Sequence, residues 1–170
     1  MDPNIVKKFE VEYNKSLQEA EDAESRLNLA ITFRRYKHYA SEVEIDSLRA
    51  TFREKGQVNG LSMNRDNLVV GYCANRVSTL ASIEFESMVA ELTEKVNLTR
   101  KARDAAAQMW EFVDLSKRWK FSFTEEEMCT LRDAWVEFVR TNTGHTLDRT
   151  TFLVGFNARV SQKEIANEIR

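Results

Sequence analysis

Arg34-Arg35-Tyr36-Lys37-His38-Tyr39, followed after one residue by Ser41-Glu42-Val43-Glu44, is the stretch that decides the fold. The second segment is a capping box. A serine hydroxyl accepts from a free backbone N–H of a new helix, and a glutamate three residues on reaches back to the cap. The first segment places cations in the last turn of a preceding helix, where they complement its C-terminal dipole. The same pair of signals returns as Lys117-Arg118-Trp119-Lys120-Phe121 and Thr124-Glu125-Glu126-Glu127. The sequence therefore reads twice as one helix ending and another beginning.

Working outward, the recurrence extends over most of each half. Leu48-Arg49 returns as Leu131-Arg132, Leu68-Val69-Val70-Gly71-Tyr72 as Phe152-Leu153-Val154-Gly155-Phe156, and Arg76-Val77-Ser78 as Arg159-Val160-Ser161. The offset is 83 residues, rising to 84 and falling back before the last match. This predicts an all-α tandem duplication packed as an elongated helical bundle, its function to be read on the repeated unit.

Upstream of each basic turn lies a long apolar seam. Asp2-Pro3 is a helix start, with aspartate as cap and proline at the first helical position. Val6, Phe9, Tyr13, Ala20, Ala23, Leu27 and Ala30 then fall on seven-residue spacing, and Val89, Leu92, Val96, Ala106, Trp110 and Val113 match them. Long helices are predicted over 3–38 and 79–120. Downstream, each capping box opens a helical hairpin, over 41–77 and 124–160. Asn64 and Asp148 are the predicted caps of the second hairpin helices, and Met63 and Leu147 their hydrophobic staples. The expected units are 1–78 and 79–160. Ser161-x-x-Glu164 is a further capping box, predicting a separate short capping helix over 161–170. Gly71 and Gly155 sit mid-helix, at a cost of about 1 kcal/mol each, and their recurrence points to close helix packing there.

The hairpins resemble EF-hands of the calmodulin-like superfamily. Residues 56–67 form a twelve-residue interval before Leu68, with Met63 at the apolar loop position; Phe138 and Phe152 flank an interval with Gly144 near its middle and Leu147 at that position. The ligand chemistry is wrong for calcium, which needs about six to eight oxygens and a glutamate at loop position 12. The first loop offers Gly56, Val58, Gly60, Ser62, Asn64 and Asn67; the second offers Arg140, Asn142, Gly144, Thr146, Asp148 and Thr151. The resemblance thus implies hairpins that keep the packing and bind no metal.

Other chemistry is sparse. The net charge of −2 gives no global attraction to nucleic acid or membrane, so a charge-driven partner must be met by a local patch. His38 has no acidic or cysteine partner at metal spacing, and His145 stands in a polar stretch. No phosphate loop, zinc motif or nucleophile elbow occurs. Cys73 and Cys129 read as free, mostly buried thiols in a reducing compartment. No apolar run approaches the roughly 18 residues of a membrane span, and no signal-peptide core is present, so an intracellular, cytoplasmic protein is expected. Neither catalysis nor a cofactor finds support. The best contact residues are Arg34, Arg35, Tyr36 and Lys37 with Lys117, Arg118, Trp119 and Lys120. The sequence predicts a non-enzymatic, calcium-independent scaffold or adaptor that binds a protein partner or self-assembles. The alternative is a nucleic-acid- or phosphate-binding assembly protein using turns 34–39 and 117–121.

Overall fold

The computed structural model describes residues 1–58, 64–144 and 147–168. These residues form six helices and no strand: α1 (Pro3–Arg35), α2 (Glu42–Val58), α3 (Arg65–Cys73), α4 (Ser82–Arg118), α5 (Glu125–Thr141) and α6 (Arg149–Glu168). The protein is an all-α helical bundle.

Local chemistry sets the helix boundaries. Asp2 Oδ1 accepts from the Asn4 N–H at 2.8 Å at the head of α1. The two capping boxes form: Ser41 N–H donates to Glu44 at 2.8 Å, and Thr124 N–H to Glu127 at 2.8 Å. Asn64 accepts from the Asp66 N–H at 2.9 Å, and Asp148 from the Thr151 N–H at 2.8 Å. Met63 and His145 lie outside the described residues. At the head of α4 the cap lacks a hydroxyl, and Glu84 alone reaches back to the Ala81 N–H at 3.0 Å. Both long helices stop a few residues short of the expected 38 and 120, because the chain turns left-handed at Lys37 and Lys120.

The chain divides into two compact units, and neither follows the repeat boundary at 78/79. Unit 2 is Leu17–Lys101; unit 1 joins Met1–Ser16 to Ala102–Arg170. Each unit contains one hairpin, the last part of one long helix and the first part of the other. In unit 2, α1 and α4 run antiparallel, tied by Arg100–Glu24 at 2.6 Å and Arg34–Glu86 at 2.7 Å. Its core holds Leu29, Ala30, Phe33, Ile45, Leu48, Val69, Phe85, Met88, Val89 and Leu92. Arg26 bridges to Asp46 at 2.7 Å and holds α2 against α1. In unit 1 the core is richer in aromatics: Phe9, Phe112, Phe123, Trp135, Phe152 and Phe156 surround Met128, Leu131 and Leu153. Trp135 is buried, whereas its counterpart Phe52 is half-buried.

Three sequence expectations are corrected. The helix predicted to start at Ser161 does not form separately; α6 runs through Ser161 and Glu164 without a break. In the first half the same Arg-Val-Ser lies outside any helix, because α3 has already ended at Cys73 and tertiary bonds hold Ser78. Ser78 Oγ accepts from the Tyr39 N–H at 2.9 Å, and the Thr79 and Leu80 N–H groups donate to the Tyr39 carbonyl at 3.0 and 2.9 Å. Nor do the mid-helix glycines mark close packing. A Cβ placed on Gly71 or Gly155 would meet nothing within 4 Å. Cys73 and Cys129 are free and half-buried rather than mostly buried.

Candidate contact surface

Each basic-aromatic turn closes its long helix in the same way. The His38 N–H donates to the Phe33 carbonyl at 3.1 Å and the Lys37 N–H to the Arg34 carbonyl at 2.9 Å; Phe121 donates to Ser116 at 2.9 Å and Lys120 to Lys117 at 3.2 Å. This pair of nested bonds is the Schellman motif, which satisfies carbonyls left over at a helix end. It demands a left-handed residue, usually glycine. Here that residue is Lys37, at φ 53°, or Lys120, at φ 55°. A side chain in this conformation costs about 1–2 kcal/mol. The aromatic of each turn stands at the last helical junction, and the residue after the lysine folds back on the helix. His38 does so against Phe33, with ring centroids 5.6 Å apart.

All eight residues of the two turns are exposed. Tyr36 is 41% exposed and Trp119 53%, so neither aromatic is spent as a core anchor. Trp119 stacks on Phe121, with centroids 6.5 Å apart. The charges differ between the two copies. In unit 2, Arg34 pairs with Glu86 and Arg35 with Asp66, each at 2.7 Å, and the Tyr36 hydroxyl donates to Asp66 at 3.4 Å. In unit 1, Arg118 pairs with Asp114 of its own helix at 2.6 Å, and Lys117 lies 5.2 Å above the Trp110 ring. Lys37 and Lys120 have no acidic partner among the described residues. Exposed pairs of this kind contribute little to stability and are readily exchanged for a partner's groups.

The remaining polar groups serve architecture. His38 is buried, packed edge-on to Tyr72 at 6.2 Å, with Nε2 unpaired among the described residues. Asp148 spends its carboxylate on the Thr151 N–H and hydroxyl, and Arg140 pairs with Glu137. Among the described residues no three His, Cys, Asp or Glu side chains gather as a metal site. No helix among them is long and apolar enough to cross a membrane. One network goes beyond the sequence reading. Glu44 accepts from Ser41, from the Tyr72 hydroxyl at 2.9 Å and from the Thr79 hydroxyl. Partial burial pushes its carboxyl up, but the bonds from Thr79, Ser41 and Tyr72 together outweigh burial and hold it at about 2. The capping box betrayed the Ser41 bond; nothing local in the sequence pointed to the other two.

Comparison of the chain with protein-family models, with curated proteins and with solved structures finds no match.

Proposed function

We propose that the protein is a non-enzymatic, calcium-independent helical scaffold or adaptor, and that its two basic-aromatic helix ends are contact surfaces for a protein partner or a second copy of the chain. The observation that carries this reading is the exposed aromatic beside a left-handed lysine, without an acidic partner among the described residues, at both ends. A helix end selected only for stability would place glycine there. Backbone strain kept at an exposed site is a reason to look for function. The matching of helix ends, capping boxes and core positions at the same offset also supports descent from one duplicated unit of EF-hand-like hairpin type.

The test is a variant with Arg35, Lys37, Arg118 and Lys120 replaced by Ala. Its melting temperature should stay within a few degrees of wild type, since exposed charges stabilise little. Capture of partners identified by mass spectrometry, or self-association seen by sedimentation, should be lost. A variant that unfolds, or that retains every interaction, overturns the assignment. One observation favours a second reading, nucleic-acid binding: Trp119 is half-exposed, backed by Phe121 and flanked by Arg118 and Lys120, as a base-stacking platform requires. Retention on a labelled oligonucleotide that falls steeply with salt distinguishes it.

A further inference from the structure

Unit 1 carries a groove of about 660 Å³ between the first turns of α1 and the end of α4. Val6 and Phe121 supply apolar surface, and Lys7, Lys117 and Lys120 stand around it, with Glu10 the one acidic lining residue among the described residues. The equivalent place in unit 2 shows what a basic turn of this chain takes. There Arg34 meets Glu86, and Arg35 and Tyr36 meet Asp66. At the repeat offset, Pro3 stands where unit 2 has Glu86, and Thr150 where it has Asp66. Lys7 stands where unit 2 has Ala90. Three positions thus change in the positive direction; Glu10, in place of Thr93, is the one lining change against them. The carboxylates that answer the turn in unit 2 are absent from unit 1.

We propose that this groove binds an acidic peptide segment of another protein, which sets an apolar side chain on Val6 and Phe121 and places carboxylates against Lys117, Lys120 and Lys7. The proposal rests on the reading of the basic-aromatic turns as contact surfaces, and assigns a ligand class to the second of them. Peptide is favoured over nucleic acid by three observations. The partner groups seen at the homologous turn are carboxylates. Among the described residues the groove is lined by lysines and mainly aliphatic surface, without the arginine forks that grip phosphate in a bidentate manner. Glu10 would repel a continuous phosphate chain but tolerates a peptide whose charges are spaced. Charge complementarity of this kind governs specificity and association rate.

The test uses the full chain and an end-capped, fluorescein-labelled peptide of alternating glutamate and leucine, followed by anisotropy. Saturable binding is expected, weakening with salt, and absent for the same peptide with glutamine in place of glutamate. K117E/K120E should bind at least about tenfold more weakly. Pro3→Glu should do likewise, because it returns to unit 1 the carboxylate that unit 2 uses, and glutamate in a first turn favours the helix. Lys95→Glu, at an exposed position of α4 in unit 2, should leave binding unchanged. Should K117E/K120E fail to fold, Pro3→Glu and Lys7→Gln carry the decision. No saturable binding by wild type overturns the proposal. So do Pro3→Glu and lysine variants that bind like wild type, or a labelled oligothymidylate that binds more tightly than the peptide and displaces it. If the peptide fails while the four-alanine variant still loses its partners, only the ligand class is wrong and the contact surface stands.

Discussion

Two residues hold conformations that their own repeat counterparts put in perspective. Lys37 and Lys120 occupy left-handed backbone where glycine is unstrained. Lys37→Gly and Lys120→Gly should therefore each stabilise the fold by about 0.5–1 kcal/mol, the relief of strain less the added freedom of the unfolded chain. Chemical denaturation measures this directly, and a loss of stability would mean that the lysine side chains make contacts worth more than the strain. If Lys120 also serves binding, its glycine variant should be the more stable protein and the poorer binder. His38 presents the opposite case. It is buried with Nε2 unpaired among the described residues, against Phe33 and Tyr72, where unit 1 places Phe121. His38→Phe should raise stability by about 1 kcal/mol, because a buried polar atom without a partner costs its desolvation. A fall in melting temperature would show that Nε2 is satisfied after all.

At the scale of elements, the helix starts were legible because their chemistry is local. Ser41, Thr124, Asn64 and Asp148 cap from within three residues of the groups they bind, so sequence spacing alone identifies them. The apolar seams were legible for the same reason, since helical period brings Phe9, Ala20, Ala23 and Ala30 to one buried stripe. The ends were less so. Arg-Val-Ser lies beyond the end of α3 at 76–78 but inside α6 at 159–161, and the bonds to Tyr39 hold the first copy. The eight contact residues were named from pattern, but the acids that Arg34 and Arg35 meet, Glu86 and Asp66, are brought in by other helices. Glu44 shows how much tertiary context adds to a local motif, because Tyr72 and Thr79 reach it from 28 and 35 residues away. It thereby latches α2 to the end of α3 and the approach to α4. Its carboxyl is held at about 2 when folded, below its ordinary value of 4.5, so the latch stabilises fully above that ordinary value and is lost as pH falls towards the folded one. Glu44→Gln should destabilise by about 1–2 kcal/mol at neutral pH. The gap between variant and wild type should then close between about pH 5 and 2. Paired melting curves across that range check it; a gap independent of pH would assign the loss to geometry rather than charge.

At the scale of the whole molecule, the repeat and the compact unit are different things. A sequence cut at 78/79 separates two similar halves, but each unit takes residues from both of them. Phe85, Met88, Val89 and Leu92 belong to the second half and fill the core around Phe33, Ile45 and Leu48. Phe9, with Val6 and Ile5 packed beside it, belongs to the first half and joins the core around Phe112 and Leu131. Heptad spacing announced that the long helices pack on something; it carried no information about which hairpin each part of them would serve. This exchange has a physical consequence for dissection. A fragment of residues 1–78 lacks four large apolar groups from its core, and losing even one such group typically costs about 2–5 kcal/mol, comparable to a large share of a domain's whole stability. A fragment of residues 79–170 lacks Phe9 and its neighbours. Neither fragment should give a cooperative thermal transition as a monomer. Mixed in equal amounts, they should regain one, with the near-ultraviolet dichroism of the intact chain, because each supplies the helix segment the other is missing. Either fragment alone, at high concentration, should instead form a dimer in which a second copy supplies that segment, the arrangement a single ancestral unit would have needed. A monomeric fragment of residues 1–78 that melts cooperatively near the temperature of the full chain would show that the exchanged segment is dispensable.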